Sequence, residues 1–283
     1  MDRSNNHILN RIFVGNTFKE LLKKQINKIY FTFVKRFLID PEGKTNQEII
    51  SEIYEVIRDQ YRNEYFYKNT ILNILLLNQH DLKKTTAISE IPIAKSKADF
   101  ILINGKAVVY EIKTELDNFD RLDSQLNDYY KAFNKVCVVT SESNYTIVSK
   151  KLENTPVGIY LLTNKTQLKI KKKPIEDNSK LNLSTMFKIL RKSEFESIIK
   201  DNYVNLPQVT QFQYYRACQK LFCELPIDIA YKFLLRELKK RNKIDIVEFL
   251  RVPYELKFLI YNSQFNKTEY LQLNCFLNNK FGG

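Results

Sequence analysis

Apolar positions along this chain change period, and the changes lay out a sheet in the middle with helices on both sides. Residues 62–78 (RNEYFYKNTILNILLLN) carry large apolar side chains at helical spacing. Three β-prone runs follow, TTAISEI at 85–91, KADFILI at 97–103 and KAVVYEIK at 106–113. Helical spacing returns over 115–133 in Phe119, Leu122, Leu126, Tyr129 and Phe133, with Asp117 as the expected N-cap. KVCVVT at 135–140 reads as a short buried strand, 145–153 as a short helix and VGIYLLT at 157–163 as another strand. The order α-β-β-β-α-β with an αβ extension predicts an α/β fold, a mixed sheet flanked by helices.

Outside that stretch the pattern is helical. Residues 18–37 are amphipathic and basic, Asp40-Pro41-Glu42-Gly43 breaks the pattern, and 46–61 resumes it behind a Thr45/Glu48 capping box. From Pro174 onward helices are expected near 184–201, 208–223, 226–241 and 244–258. The division this suggests is N-terminal helices at 1–61, an αβ core at 62–173 and a helical, basic C-terminal lobe at 174–283.

The chemistry concentrates on one hairpin. Asn104-Gly105 joins the second and third β-runs, which carry Asp99 on one side and Glu111 and Lys113 on the other. A two-residue loop would pair Asp99 with Tyr110 and turn Glu111 to the opposite face. A three-residue loop of Ile103, Asn104 and Gly105 would pair Leu102 with Lys106 and put Asp99, Glu111 and Lys113 on one face, the two acids as diagonal neighbours. Two carboxylates on one face suit a hard divalent cation, which takes oxygen ligands and keeps several waters. The carbonyl of Ile112 is the natural third protein ligand. The competing explanation is a same-face salt bridge between Glu111 and Lys113 in ordinary strands. Against it, Glu111 follows the apolar run 107–110, where an unpaired charge is costly.

With those residues placed, the chain resembles the PD-(D/E)XK nuclease superfamily, whose core has this element order and this hairpin, and within it an uncharacterised bacterial family. The likeness covers about residues 60–165. It implies a restriction-endonuclease-like core and Mg²⁺- or Mn²⁺-dependent hydrolysis of DNA, with Asp99 and Glu111 on the metal and Lys113 as the catalytic lysine. It also suggests a mobile-element or antiviral-defence setting. Ser96 matches a serine of archaeal Holliday-junction resolvases, and Gln125 with Tyr129 repeats the Q-x-x-x-Y pattern of recombination-type relatives. Ala98 departs from the namesake proline, which is not a ligand. Glu64 matches an acid that many relatives use near a second metal, or else pairs with Lys68 at i,i+4. Glu90 competes for the same role. A protein that keeps the fold and binds nucleic acid without cleaving, and an RNA-directed nuclease, are the alternatives.

Composition narrows the setting. A chain of 283 residues with 44% hydrophobic content can build a real core. No run of eighteen or more apolar residues occurs, and MDRSNNHILNRIF is too polar for a secretory signal, so a cytoplasmic protein without membrane partners is expected. Cys137, Cys218, Cys223 and Cys275 with His7 and His80 form no zinc pattern, and Cys137 reads as a core residue. Gly43-Lys44-Thr45 lacks the upstream glycine of a P-loop. The net charge of +13 fits a polyanionic partner such as DNA. KIKKK at 169–173 either touches DNA or guards a strand edge. Tyr214, Tyr215, Phe222, Tyr231 and Phe233, interleaved with Arg216, Lys220, Lys232 and Arg236, either grip nucleic acid or form a core with a solvated basic face, and the lobe that carries them is also where a protein partner would bind.

Overall fold

The computed structural model describes residues 10–24, 27–203 and 205–282, so His7 lies outside the described residues. Contacts group the chain into two compact units, Met1–Leu82 with Lys243–Gly283, and Lys83–Asn242. These cuts differ from those read at 61 and 173, because grouping follows contacts between residues distant in sequence.

In the first unit, helix α1 (Gly15–Lys24) and α2 (Lys28–Phe37) replace the single helix expected over 18–37. Asn27 starts the second, its side chain accepting from the amides of Ile29 and Tyr30. Helix α3 (Asn46–Gln60) opens with the expected capping box between Thr45 and Glu48. Helix α4 (Glu64–Ile71) runs on into a π-helical turn, Leu72–Leu77, and together they occupy the span read as one helix.

The second unit is built on a six-stranded sheet in the order β1 (Thr86–Ile93), β2 (Ser96–Asn104), β3 (Lys106–Lys113), β4 (Val136–Ser141), β5 (Gly158–Leu162) and β6 (Leu168–Lys172). The first three strands form an antiparallel meander, β3, β4 and β5 run parallel, and β6 returns antiparallel at the edge. Helix α5 (Leu122–Tyr130) makes the crossover from β3 to β4, and α6 (Tyr145–Leu152) the crossover from β4 to β5. Four more helices complete the unit: α7 (Leu183–Ile189), α8 (Lys192–Asn202), α9 (Gln211–Cys223) and α10 (Ile227–Lys239). The chain then closes the first unit with α11 (Ile246–Arg251), α12 (Lys257–Ser263) and α13 (Lys267–Asn278).

One hydrophobic cluster joins sheet and helices in the second unit. Ile101, Val109 and Val138 on the strands, Leu122 and Phe133 around α5, and Met186, Phe187, Ile198, Phe222 and Leu234 from α7–α10 all belong to it. Helices α7–α10 are therefore part of the sheet's own core.

Two local expectations are corrected. Ile103 pairs with Ala107 and Asn104 with Lys106, leaving Gly105 alone at the tip with φ +69°, so Ile103 is not a loop residue. The cause is burial: Ile103 is 1% exposed in the core cluster, and a loop position would have put it in water. Asp117 does not cap α5. Its carboxylate accepts from the amide and hydroxyl of Thr114, both at 2.8 Å, which closes the turn after β3 and delays the helix to Leu122.

Candidate functional site

The hairpin register decides which side chains meet. Phe100 pairs with Tyr110 at the end of the ladder, and the register continued by one residue aligns Asp99 with Glu111. This moves the expected register by two residues, and because side chains alternate, the two acids keep their common face while becoming direct instead of diagonal neighbours. β4 continues that face, with Glu111 beside Val138 and Lys113 beside Thr140. Helix α5 covers it, contributing Gln125 and Tyr129 from one side of the helix.

Glu111 is 1% exposed, and both its oxygens have donors. Oε1 lies 3.1 Å from Lys113 Nζ and Oε2 accepts from the Tyr129 hydroxyl at 2.6 Å. Lys113, also buried, donates to Gln125 Oε1 at 3.0 Å. The Tyr129 hydroxyl reaches the carbonyl of Lys97 at 2.9 Å as well, tying α5 to β2. Burial first, then the charges of Glu111 and Asp99, hold the Tyr129 phenol far above its ordinary value, so it stays a donor. Asp99 is half-buried, and its Oδ2 accepts from the amide of Ile112 at 2.8 Å. The structure thus brings Asp99, Glu111, Lys113 and Gln125 together with Tyr129.

Other sequence candidates go elsewhere. Glu64 belongs to the first unit, where its exposed carboxylate ion-pairs with Lys68 at 2.5 Å, and the cluster in the second unit is built without it. Glu90 stands across from Asp99 in the β1–β2 register, between the pairs Ser89–Phe100 and Ile91–Ala98. Its φ of +59° is unusual for a residue with a side chain, and its carboxylate meets Lys97 at 2.7 Å. Ser96 donates to Asp128 Oδ2 at 2.9 Å, a carboxylate that also takes the Lys95 amide and Lys131, so this serine fastens the β1–β2 turn to α5.

Among the basic aromatic helices, Phe222 is fully buried, Tyr214 donates to Glu196 at 2.7 Å, Tyr231 donates to Asn134 at 2.8 Å, and Arg236 pairs with Asp201 and Glu237. Phe222 follows the core reading, while Tyr215 and the neighbouring Arg216 are exposed. KIKKK forms the exposed edge strand β6 with its flank. Cys137 is buried, and burial pushes its thiol up.

Sequence reasoning missed Thr140. Its hydroxyl is buried, with no hydrogen-bond partner among the described residues, at the register position beside Lys113. The run KVCVVT gave only the signal of a strand, since its relation to Lys113 depends on parallel pairing.

Among the described residues no group of three or more His, Cys, Asp and Glu side chains gathers around a point. Asp99 and Glu111 offer two carboxylates on facing residues, a donor set of oxygens only. That chemistry fits a hard divalent cation held jointly with waters and a phosphate, and does not suit a structural zinc.

Fold and site together define an α/β protein whose mixed sheet carries a buried acid–lysine–tyrosine cluster on its antiparallel hairpin. The chain belongs to the bacteriophage P4 protein cII family, whose profile matches residues 57–261. It is 25% identical over 175 residues to protein cII of Enterobacteria phage P4, covering 60% of this chain and 64% of that protein, less than two thirds of the relative's length. No solved structure matches the chain. No helix among the described residues is long and apolar enough to cross a membrane.

Proposed function

We propose that this protein is a divalent-metal-dependent nuclease of the PD-(D/E)XK type acting on DNA. The observation that carries the reading is the convergence of Asp99, Glu111, Lys113 and Gln125 on one face of the β2–β3 hairpin, under a helix that lies between β3 and β4. The meander β1–β2–β3, the crossover helix and parallel β4 follow the strand and helix order that the resemblance implies. A relative from a phage agrees with a mobile-element setting.

Asp99 and Glu111, with the carbonyl of Ile112, would hold Mg²⁺ or Mn²⁺. Bound there, such an ion supplies charge to the scissile phosphate and a more acidic water. The remaining roles belong to side chains in place. Lys113 supplies a fixed ammonium where negative charge develops, and Gln125 holds that ammonium from the helix side. Tyr129 fixes the Glu111 carboxylate, and the apolar residues around it keep bulk water from the pair.

One observation favours a second reading, a non-cleaving nucleic-acid-binding protein on the same fold. Glu111 is already neutralised by Lys113 and hydrogen-bonded by Tyr129, as a purely structural ion pair would be. Incubating purified protein with linear, circular, single-stranded and branched DNA, and with RNA, in Mg²⁺ or Mn²⁺ separates the two. Cleavage of DNA that disappears in Asp99→Asn supports the nuclease. Binding without cleavage of any substrate by the wild type supports the second reading, and cleavage of RNA alone would move the activity to RNA.

A further inference from the structure

The second unit has a cationic groove that the candidate site does not use. It has a volume of about 480 Å³ and lies along α6 and the β5–β6 edge, with Tyr145, Ser149, Lys150, Glu153, Lys171 and Lys172 in its lining. Lys172 has a structural task, since its ammonium donates to the carbonyls of Leu152, Glu153 and Thr155 and closes the end of α6. Lys171 lies 5.4 Å from the Tyr145 ring centre. The neighbouring Lys151 is neutralised by Asp123 at 2.6 Å.

Lys150, Lys169, Lys171 and Lys173 are different. All four are exposed, and among the described residues none of them makes an ion pair. Lysines on an edge strand discourage pairing with another sheet, which accounts for charge on β6. It does not account for Lys150, which comes from the helix across the groove. Glu153 is the only carboxylate in the lining. Unpaired like charges along one surface repel one another, and a polyanion laid along them would relieve the repulsion and release counterions.

The groove is also linked to the candidate site through one loop. Asn144, the residue before α6, donates from Nδ2 to the carbonyl of Thr114 at 2.7 Å, and Thr114 directly follows Lys113. Tyr145 at the groove's head therefore begins where the strand bearing Glu111 and Lys113 ends.

We propose that the α6–β6 groove is a binding track for the phosphate backbone of DNA, its cationic contacts being Lys150 and Lys171 in the lining and the exposed Lys169 and Lys173 of the edge strand and its flank. The proposal rests on the reading of DNA as the substrate, and it requires nothing of the metal chemistry.

The test is binding of fluorescein-labelled single- and double-stranded DNA by the full chain in EDTA, followed by anisotropy across a KCl series. The variant Lys150→Gln/Lys169→Gln/Lys171→Gln/Lys173→Gln is compared with Lys23→Gln/Lys188→Gln/Lys200→Gln/Lys239→Gln, which removes the same charge from exposed helix positions. With about 0.9 lost from the log–log salt slope per phosphate contact in duplex DNA, the groove variant should lower the slope by about 3 and the affinity at 0.1 M salt by tenfold or more. The pair variant Lys150→Gln/Lys171→Gln should show about half the slope change, which serves if the fourfold change disturbs folding as read by circular dichroism. Equal weakening by groove and control variants overturns the proposal, as does wild-type protein that binds phosphatidylserine vesicles and no DNA. Groove-dependent binding by a protein that never cleaves keeps the track and ends the nuclease reading. Cleavage with an unchanged KM in the groove variant keeps the nuclease and ends the track.

Discussion

At Glu111 both carboxylate oxygens face donors in a buried setting, and this governs how substitutions there should read out. Asp99→Asn and Glu111→Gln are each expected to abolish metal-dependent cleavage, because each removes a full negative charge from the cation, and the two should differ in stability. Asp99 is half-buried, and an amide oxygen can still accept from Ile112, so Asn at 99 should melt close to wild type. Glu111→Gln leaves Lys113 buried beside a neutral amide, and Lys113→Ala leaves Glu111 without its cation. Breaking a buried pair from one side costs about 3–5 kcal/mol. Cleavage assays with urea unfolding check both halves, and full activity in Glu111→Gln would remove this cluster from the chemistry. Tyr129→Phe takes the hydroxyl from Glu111 and from the Lys97 carbonyl at once. It should lower stability by about 1–3 kcal/mol, the range for leaving buried acceptors unsatisfied, and slow cleavage without abolishing it, since Tyr129 positions the carboxylate. An unfolding midpoint equal to wild type would show that neither bond matters.

At the scale of elements, Gly158 and Lys257 each make a local prediction. A Cβ on Gly158 at the start of β5 would stand 2.8 Å from Cys137 Sγ and from Pro174 N and Cδ. Gly158→Ala should therefore destabilise by about 1–3 kcal/mol through overpacking, measured as a shifted urea midpoint with unchanged slope. Lys257, at the start of α12, donates to the carbonyls of Phe249 and Leu250 at the end of α11, and burial brings its ammonium down to about 8. Between pH 8 and its unfolded value of about 10.4 the folded chain has released a proton that the unfolded chain still binds, so this group adds stability as pH rises and loses it as pH falls through 8. The difference in unfolding free energy between wild type and Lys257→Met should grow in favour of wild type from pH 8 to pH 10, and a difference independent of pH would refute the assignment. The strands were legible because β-branched runs and Asn104-Gly105 are local signals, and the Thr45/Glu48 box was legible for the same reason. The tip of the hairpin was not, since burial of Ile103 against distant side chains chose among loops that its own residues permit equally. Parity protected the site from that error: a register moved by two keeps Asp99 and Glu111 on one face, where a shift of one would have parted them. The start of α5 was missed because Asp117 closes a turn with Thr114 in preference to capping a helix.

At the scale of the molecule, the division of the chain was the least legible feature, since it depends on which apolar faces meet. A cut after Lys173 looks harmless in sequence, falling between an edge strand and a run of helices. It would remove Met186, Phe187, Ile198, Phe222, Leu234 and Leu238, all at 0% exposure and all in the cluster that contains Ile101, Val109 and Val138. Burying side chains of this size contributes about 1.5–3 kcal/mol each, so six of them together are comparable to the roughly 5–15 kcal/mol by which a whole domain is stable. The sheet face carrying Glu111 and Lys113 is lined by the same cluster, so losing the helices should loosen the site even where secondary structure survives. A chain ending at Lys173 is expected to keep helical and strand signals in far-ultraviolet circular dichroism, to bind an apolar dye strongly, and to show no cooperative thermal transition. The full chain should give a sharp transition and little dye binding. A truncated protein that melts cooperatively and retains wild-type cleavage would mean that residues 174–242 are an accessory to the sheet rather than half of its core.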